Sequence, residues 1–373
     1  MSRPHLLVAR VAAGQEIEPE SVALDVVDSA IEHRMAGLLL HSCRHALEAL
    51  PPESAAKLTA YDLGIAARRT RLLEVLRITH ERLSEEGIPH IVFKGPVSAT
   101  RYFPDPLLRP FADLDVVIPE PAHLLQAVHA LIPDHPDLDV LKKVPPHSLD
   151  TLSVTIGDVS VDLQTDPLRM GIGPRQRNVW TKRTKTMELE GVGAIEVYDD
   201  EADLLIFLLH QARDRFRYAL GIAEARLRFE RDIEWTRVDE LARQEGLFDQ
   251  ISVATRVIHE ELGASSNGAP ESGWRSRLWT RLWSPQVRLL GDVGRFRHKR
   301  RAAWLMPLTA QGRSWEAARW ILHKAFPSDA ELRLRHPSAS GPYLWRLVWA
   351  RIRIAVQQRL WARRRETSQM PSS

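Results

Sequence analysis

Residues 88–119 read IPHIVFKGPVSATRYFPDPLLRPFADLDVVIP, and this stretch decides the fold. Its apolar run Ile91-Val92-Phe93 is too short for a helix and stops at Lys94-Gly95, which predicts a short buried strand running into a turn. Gly95 tolerates a sharp reversal, and Pro96 suits the first helical position, where its missing N–H costs nothing. A helix is therefore expected over residues 97–102. A helix N-terminus behind a glycine offers backbone N–H groups and the positive end of the dipole to an anion, and Lys94 adds a charge beside it. Taken alone, Lys-Gly is a weak motif.

Asp113 and Asp115 give it weight, because they alternate with Leu114 and Val116 and must leave one face of a second strand. Two carboxylates so close repel unless a cation lies between them, and hard oxygen donors suit Mg²⁺ or Mn²⁺, with substrate phosphates completing the shell. The same pattern also describes a strand end with two solvated acids. A third carboxylate is available in residues 151–165, TLSVTIGDVSVDLQT, which read as two alternating strands around a tight turn at Gly157-Asp158. Val159, Val161 and Leu163 share one face, and Ser160, Asp162 and Gln164 the other. Asp162 can thus leave the sheet as Asp113 and Asp115 do, although an exposed acid on a half-buried strand fits equally well. Asp166 is the second choice.

KG at 94–95, RPFADLDVVIP at 109–119 and VDLQ at 161–164 resemble, in order and spacing, the poorly characterised nucleotidyltransferase family of the DNA polymerase beta-like superfamily. The resemblance extends to residues 32–39 (EHRMAGLL), to LLIFLLHQARDRF at 204–216, and to Arg231-Asp232-Ile233 with Trp235, so it spans about residues 25–250. It implies an α/β (α+β) fold, a small mixed sheet flanked by helices. It also implies a metal-dependent enzyme that transfers a nucleoside monophosphate from a nucleoside triphosphate (NTP, such as ATP) to an acceptor, releasing pyrophosphate. Carried over by position, Asp113, Asp115 and Asp162 would bind Mg²⁺ or Mn²⁺, with Asp162 helping to accept the nucleophile's proton. Lys94 and Gly95 would hold the triphosphate, and Arg109 would neutralise charge on it; an arginine just before a proline also suits a salt bridge that locks the loop. Two positions depart from the superfamily pattern. Lys-Gly-Pro replaces its more familiar Gly-Ser, and Gln164 stands where many relatives carry a histidine.

At 373 residues and 44% hydrophobic content the chain can bury more than one packed module, which argues against disorder. Its single cysteine, Cys43, excludes an internal disulfide framework and is expected to pack. The first ten residues hold no sustained apolar core, and no stretch approaches the roughly twenty apolar residues of a membrane span. A cytoplasmic protein is expected.

Four segments follow: N-terminal helices over 1–87, the nucleotidyltransferase core over 88–200, a helical segment over 201–263 and a helical, Trp/Arg-rich region over 274–373. Helical periodicity runs over 19–50 and 55–86, broken at Pro51-Pro52, and places the N-terminal helices against the catalytic sheet. A further helix is read over 120–132, then a connection over 133–149 with one short strand at 138–144. Beyond Asp200 helix dominates. His210, Arg213 and Arg217 form either a solvated charged face or a basic face toward phosphates, and Asp232 is either their partner or a surface acid.

The C-terminal region differs in composition. From Trp274 onward it holds nine of the eleven tryptophans, and 21 Lys and Arg against 5 Asp and Glu, so a near-neutral total of +3 hides an acidic body and a basic tail. Residues 264–273 read as the linker. Trp345, Val348, Trp349, Ile352, Val356 and Leu360 recur at helical spacing among arginines. Such a helix packs on the protein's own core, or lies on an anionic surface or acidic partner. Two further functional classes stay open: an inactive NTP-binding regulatory protein, and an adaptor acting through this helix.

Overall fold

The structure, a computed structural model, describes residues 4–132, 151–168, 174–175, 177–214, 218–262 and 312–329, together with Leu332, Pro342, Tyr343 and Val348. In chain order the first half holds α1 (Pro4–Ala12), α2 (Leu24–Glu32), α3 (Ala36–Ser42), α4 (Pro52–Glu85), β1 (Ile91–Phe93), α5 (Gly95–Tyr102), β2 (Asp113–Val117) and α6 (Leu124–Leu131). There follow β3 (Thr151–Ile156), β4 (Val159–Gln164), α7 (Arg177–Thr181), β5 (Thr184–Leu189), β6 (Gly193–Tyr198), α8 (Asp200–Asp214), α9 (Ala219–Phe229), α10 (Trp235–Gln244), α11 (Phe248–Leu262) and α12 (Ser314–Ala325). The fold is mixed α+β, as the resemblance implied.

A four-stranded sheet of order β1-β2-β4-β3 lies at the centre, with β2 and β4 parallel and the outer pairs antiparallel. Period-two alternation sorts its faces. Leu114, Val116, Val161 and Leu163 are buried in one cluster with Leu72, Val75, Leu76 and Leu83 of α4 and Leu124, Val128 and Leu131 of α6. The opposite face presents Ile91, Phe93 and Val117 to Leu204, Leu205, Leu208 and Leu209 of α8 and to α10 and α11. Asp113, Asp115 and Asp162 belong to this second face by parity.

α4 ends in a Schellman motif, with Gly87 at φ 65° and the Ile88 amide donating to the Leu83 carbonyl at 2.8 Å, which aims the chain into β1. Residues 19–50 do not form the continuous helix that their periodicity suggests. They break at His33-Arg34, and α1–α3 pack on Tyr102, Phe103 and Leu108 and on Ala219, Leu220, Ile222 and Ala223 of α9. Among the described residues of the N-terminal helices, only those of α4 join the sheet's core clusters. Cys43 is buried, as expected. The β5–β6 hairpin was not anticipated, although Met187, Leu189, Ile195 and Val197 alternate around a turn with Gly191 at φ 76° and Gly193 at φ 103°.

One buried polar network clamps α5 to α8 and α9. Arg228, 1% exposed, pairs with Asp203 and with Glu224 (2.7 Å) and donates to Ser98 Oγ at 2.9 Å. The Tyr102 hydroxyl donates to Asp203 at 2.6 Å, and Arg101 reaches Asp200 and the Tyr198 carbonyl. Burial favours the neutral form of Glu224, but Arg109 and Arg228 outweigh it and hold the carboxyl at about 2, below its ordinary 4.5. A depressed carboxyl stabilises the fold above its unfolded-state pKa, and that stabilisation is lost as the pH falls from about 4.5 toward 2. The melting-temperature gap between wild type and Glu224→Gln should therefore narrow through this window; a gap that stays constant from pH 7 to 3 would contradict the assignment.

His210 is buried with its ring 6.5 Å from Phe93, so it lies in the core and not on a charged face; Asp232 is exposed. Arg217, the 138–144 strand, the 264–273 linker and all of the C-terminal stripe except the exposed Val348 lie outside the described residues. The N-terminal end of α12 is tied to the body by Arg313, 3.5 Å from Glu245, both buried. Among the described residues no helix is long and apolar enough to cross a membrane.

Candidate functional site

The strand β1 stops at Phe93 and α5 starts at Gly95, so the reversal falls on the residue between them. Lys94 adopts φ 57°, ψ −139°, a region that side-chain-bearing residues rarely enter. Holding it there costs on the order of 1–3 kcal/mol, the kind of strain that clusters at ligand clamps. The sequence placed this turn on Gly95, which instead sits at φ 20° pressed against β2: a Cβ there would lie 3.4 Å from the Phe111 ring and 3.5 Å from the Asp113 carbonyl oxygen. The first turn of α5 is thereby set beside the start of β2. Pro96 is in its first turn, and the Ser98 amide donates to the Lys94 carbonyl at 2.8 Å.

β2 and β4 bring the acids together. Asp115 pairs in register with Asp162, and Asp113 with Ser160, so parallel pairing puts the three carboxylates on one face over two neighbouring strands. Asp113 is open to solvent, Asp162 half-buried and Asp115 buried. Lys94 Nζ lies 3.5 Å from Asp115 Oδ2 and 4.7 Å from the centre of the Phe93 ring, and Gln164 Nε2 donates to Asp115 Oδ1. Ser153 Oγ donates to Asp162 Oδ1 at 2.5 Å. Desolvation by the surrounding protein raises the Asp113 pKa above its ordinary value even at this open position, and the charges of Asp115 and Asp162 raise it further; Lys94 and Arg34 pull it down.

Carboxylate oxygens are the donors that Mg²⁺ and Mn²⁺ take, and the like-charge repulsion felt at Asp113 is what a divalent cation relieves. In charge and donor type the three acids fit such an ion. As they stand, Asp115 faces Gln164 and Lys94 and Asp162 faces Ser153, and among the described residues no three His, Cys, Asp or Glu side chains form a metal-ligating cluster. Closing the three acids onto one ion requires side-chain rotation. Asp166 is engaged elsewhere, its Oδ1 accepting from the Leu168 amide at 3.0 Å in a local turn.

Arg109 reaches back beneath the turn. Its Nε donates to Glu224 Oε2 at 2.8 Å and its Nη1 to the Gly95 carbonyl at 3.3 Å, which makes it a strut between α9 and the Lys94-Gly95 turn. An arginine before a proline suits a loop-locking salt bridge, but its partner Glu224 lies 115 residues away in the chain, where no local pattern names it. Sequence reasoning also missed Gln164 as a donor to Asp115 and Arg34 as a cation near Asp113. For Gln164 a hint was present, since it follows Asp162 with the right parity; for Arg34 nothing in the local pattern links residues 34 and 113.

No curated protein and no solved structure matches the chain significantly. The family described as uncharacterised nucleotidyltransferase matches residues 21–263, which takes in α2, the Lys94-Gly95 turn, the three acids and the Arg228 network. The chain belongs to this family of uncharacterised nucleotidyltransferases.

Proposed function

We propose that the protein is a cytoplasmic, metal-dependent enzyme that transfers a nucleoside monophosphate from an NTP to an acceptor hydroxyl or another nucleophile. A bond forms between the acceptor atom and the α-phosphorus, the bond to the β-phosphate oxygen breaks, and pyrophosphate leaves. The observation that carries this reading is the juxtaposition of three carboxylates on β2 and β4 with a strained Lys-Gly turn that opens a helix.

Asp113, Asp115 and Asp162 would hold Mg²⁺ or Mn²⁺, whose chemistry is to neutralise phosphate charge and to lower the pKa of the attacking hydroxyl. Asp162, half-buried on the inner strand β4, would help to accept that proton. Lys94 is suited to move from Asp115 onto a phosphate oxygen, and the amides that open α5 would cradle the triphosphate. Arg109 would act one step back, fixing the turn through the Gly95 carbonyl.

A second reading, an NTP-binding regulatory protein without turnover, is favoured by one contact: the Lys94 ammonium beside Asp115 supplies a cation of the protein's own. Calorimetric titration with ATP, GTP, CTP and UTP, with Mg²⁺ and again with EDTA, separates the two. Binding of one NTP that needs the metal supports the enzyme and names its donor. Equal binding in EDTA favours the regulatory protein, and binding of none removes both.

A further inference from the structure

Gln164 ends β4 as a fully buried amide, and its Nε2 donates to Asp115 Oδ1. Burying an amide costs free energy unless it is hydrogen-bonded, and here the chain sets it against a carboxylate that is itself only 6% exposed. Register explains how the two meet. Asp115 lies across from Asp162 and Val117 across from Gln164, so Gln164 has the parity of the acids and reaches back one diagonal step to Asp115. The strand end is fixed behind it: the Ile118 amide donates to the Gln164 carbonyl at 2.7 Å, and Arg177 Nη1 donates to the Thr165 carbonyl at 2.8 Å.

The other oxygen of Asp115 has a different neighbour. Oδ2 lies 3.5 Å from Lys94 Nζ, on the strained turn that opens α5. A carboxylate gripped on one oxygen by a buried amide cannot swing that oxygen outward without breaking a charge-assisted hydrogen bond. We propose that Gln164 is a positioning residue: it fixes the Asp115 carboxylate so that Oδ2 alone is presented, and a divalent cation and the Lys94 ammonium compete for that one oxygen. The inference rests on the metal-dependent reading above. It makes entry of the ion the event that releases Lys94 toward a phosphate oxygen, and it gives the buried amide on β4 a task.

Mn²⁺ alone is the probe, followed by electron paramagnetic resonance of the free ion. The samples are wild type, Gln164→Met, Lys94→Met and the variant with both substitutions; the Asp113→Asn, Asp115→Asn variant gives the baseline for other acids, and melting temperatures are taken throughout. Gln164→Met should bind Mn²⁺ at least about tenfold more weakly, the loss typical when a group that orients a metal ligand is removed. Lys94→Met should bind it about two- to fivefold more tightly, since a competing cation in a partly exposed ion pair has gone. That gain should shrink in the Gln164→Met background, where the carboxylate can turn and offer the ion its other oxygen. A merely structural Gln164 would lower the melting temperature and leave the gain from Lys94→Met unchanged, so additive effects overturn the inference. So does wild-type Mn²⁺ affinity in a folded Gln164→Met variant. Lys94→Met tests the idea even if the Gln164 variant fails to fold, because unchanged or weaker Mn²⁺ binding there also overturns it. A wild type that takes up no more Mn²⁺ than the baseline sinks it as well; the calorimetric titration with NTPs then decides separately whether the enzyme reading stands.

Discussion

Replacing both Asp113 and Asp115 by Asn should abolish metal-dependent NTP binding and lower any nucleotidyl transfer by on the order of 10²–10³-fold or more, while leaving the protein at least as stable as wild type. The loss follows from removing two of the three anionic donors on the β2–β4 face. The stability argument has a sign of its own. A carboxyl whose folded pKa is raised costs stability wherever it is ionised, and Asp113 is raised by desolvation and by Asp115 and Asp162. Neutral amides remove that repulsion, and an amide at 115 keeps one acceptor oxygen, for Gln164 or for Lys94, in place of the two that Asp115 offers them. Melting curves and calorimetry on the same samples check both halves. Retained Mg²⁺-dependent binding in the double variant would remove these acids from the site, and a large drop in melting temperature would mean that the pair is structural.

The second large effect is expected at Arg228. Arg228→Met leaves Asp203 and Glu224 buried with part of their compensation gone, and breaking a buried ion network by removing one partner typically destabilises by about 3–5 kcal/mol. Glu224 keeps Arg109 and Asp203 keeps Tyr102, so the chain should still fold, with a lower urea midpoint. Ser98 and Tyr102 both lie on α5, the helix whose first turn follows Lys94, so NTP affinity should fall as well. Adding Glu224→Gln to the Arg228 variant should cost less than Glu224→Gln in the wild-type background, because the two share one interaction. Strict additivity, or a loss below about 1 kcal/mol for Arg228→Met, would show that the network contributes little.

Read locally, the sequence determined the elements that depend on period and punctuation. Ile91 to Phe93 had to be a short strand because Lys94-Gly95-Pro96 cannot continue one; Asp113 and Asp115 had to share a face because strand side chains alternate; Gly157 and Gly87 marked a hairpin turn and a helix end. The candidate acids follow from the same rule, since parity along β4 puts Asp162 opposite Val161 whatever the rest of the chain does. Only the tertiary structure decided which acids meet. The parallel pairing of β2 with β4 is a contact across 47 residues, and it alone aligns Asp115 with Asp162. It also decided that Arg109 braces the turn through Glu224, that α1–α3 pack on α9 more than on the sheet, and that Arg34 comes within electrostatic reach of Asp113. Charges carry no period, and a buried arginine reads in sequence like an exposed one; its partners are chosen by which helices pack together, and that choice belongs to the whole chain.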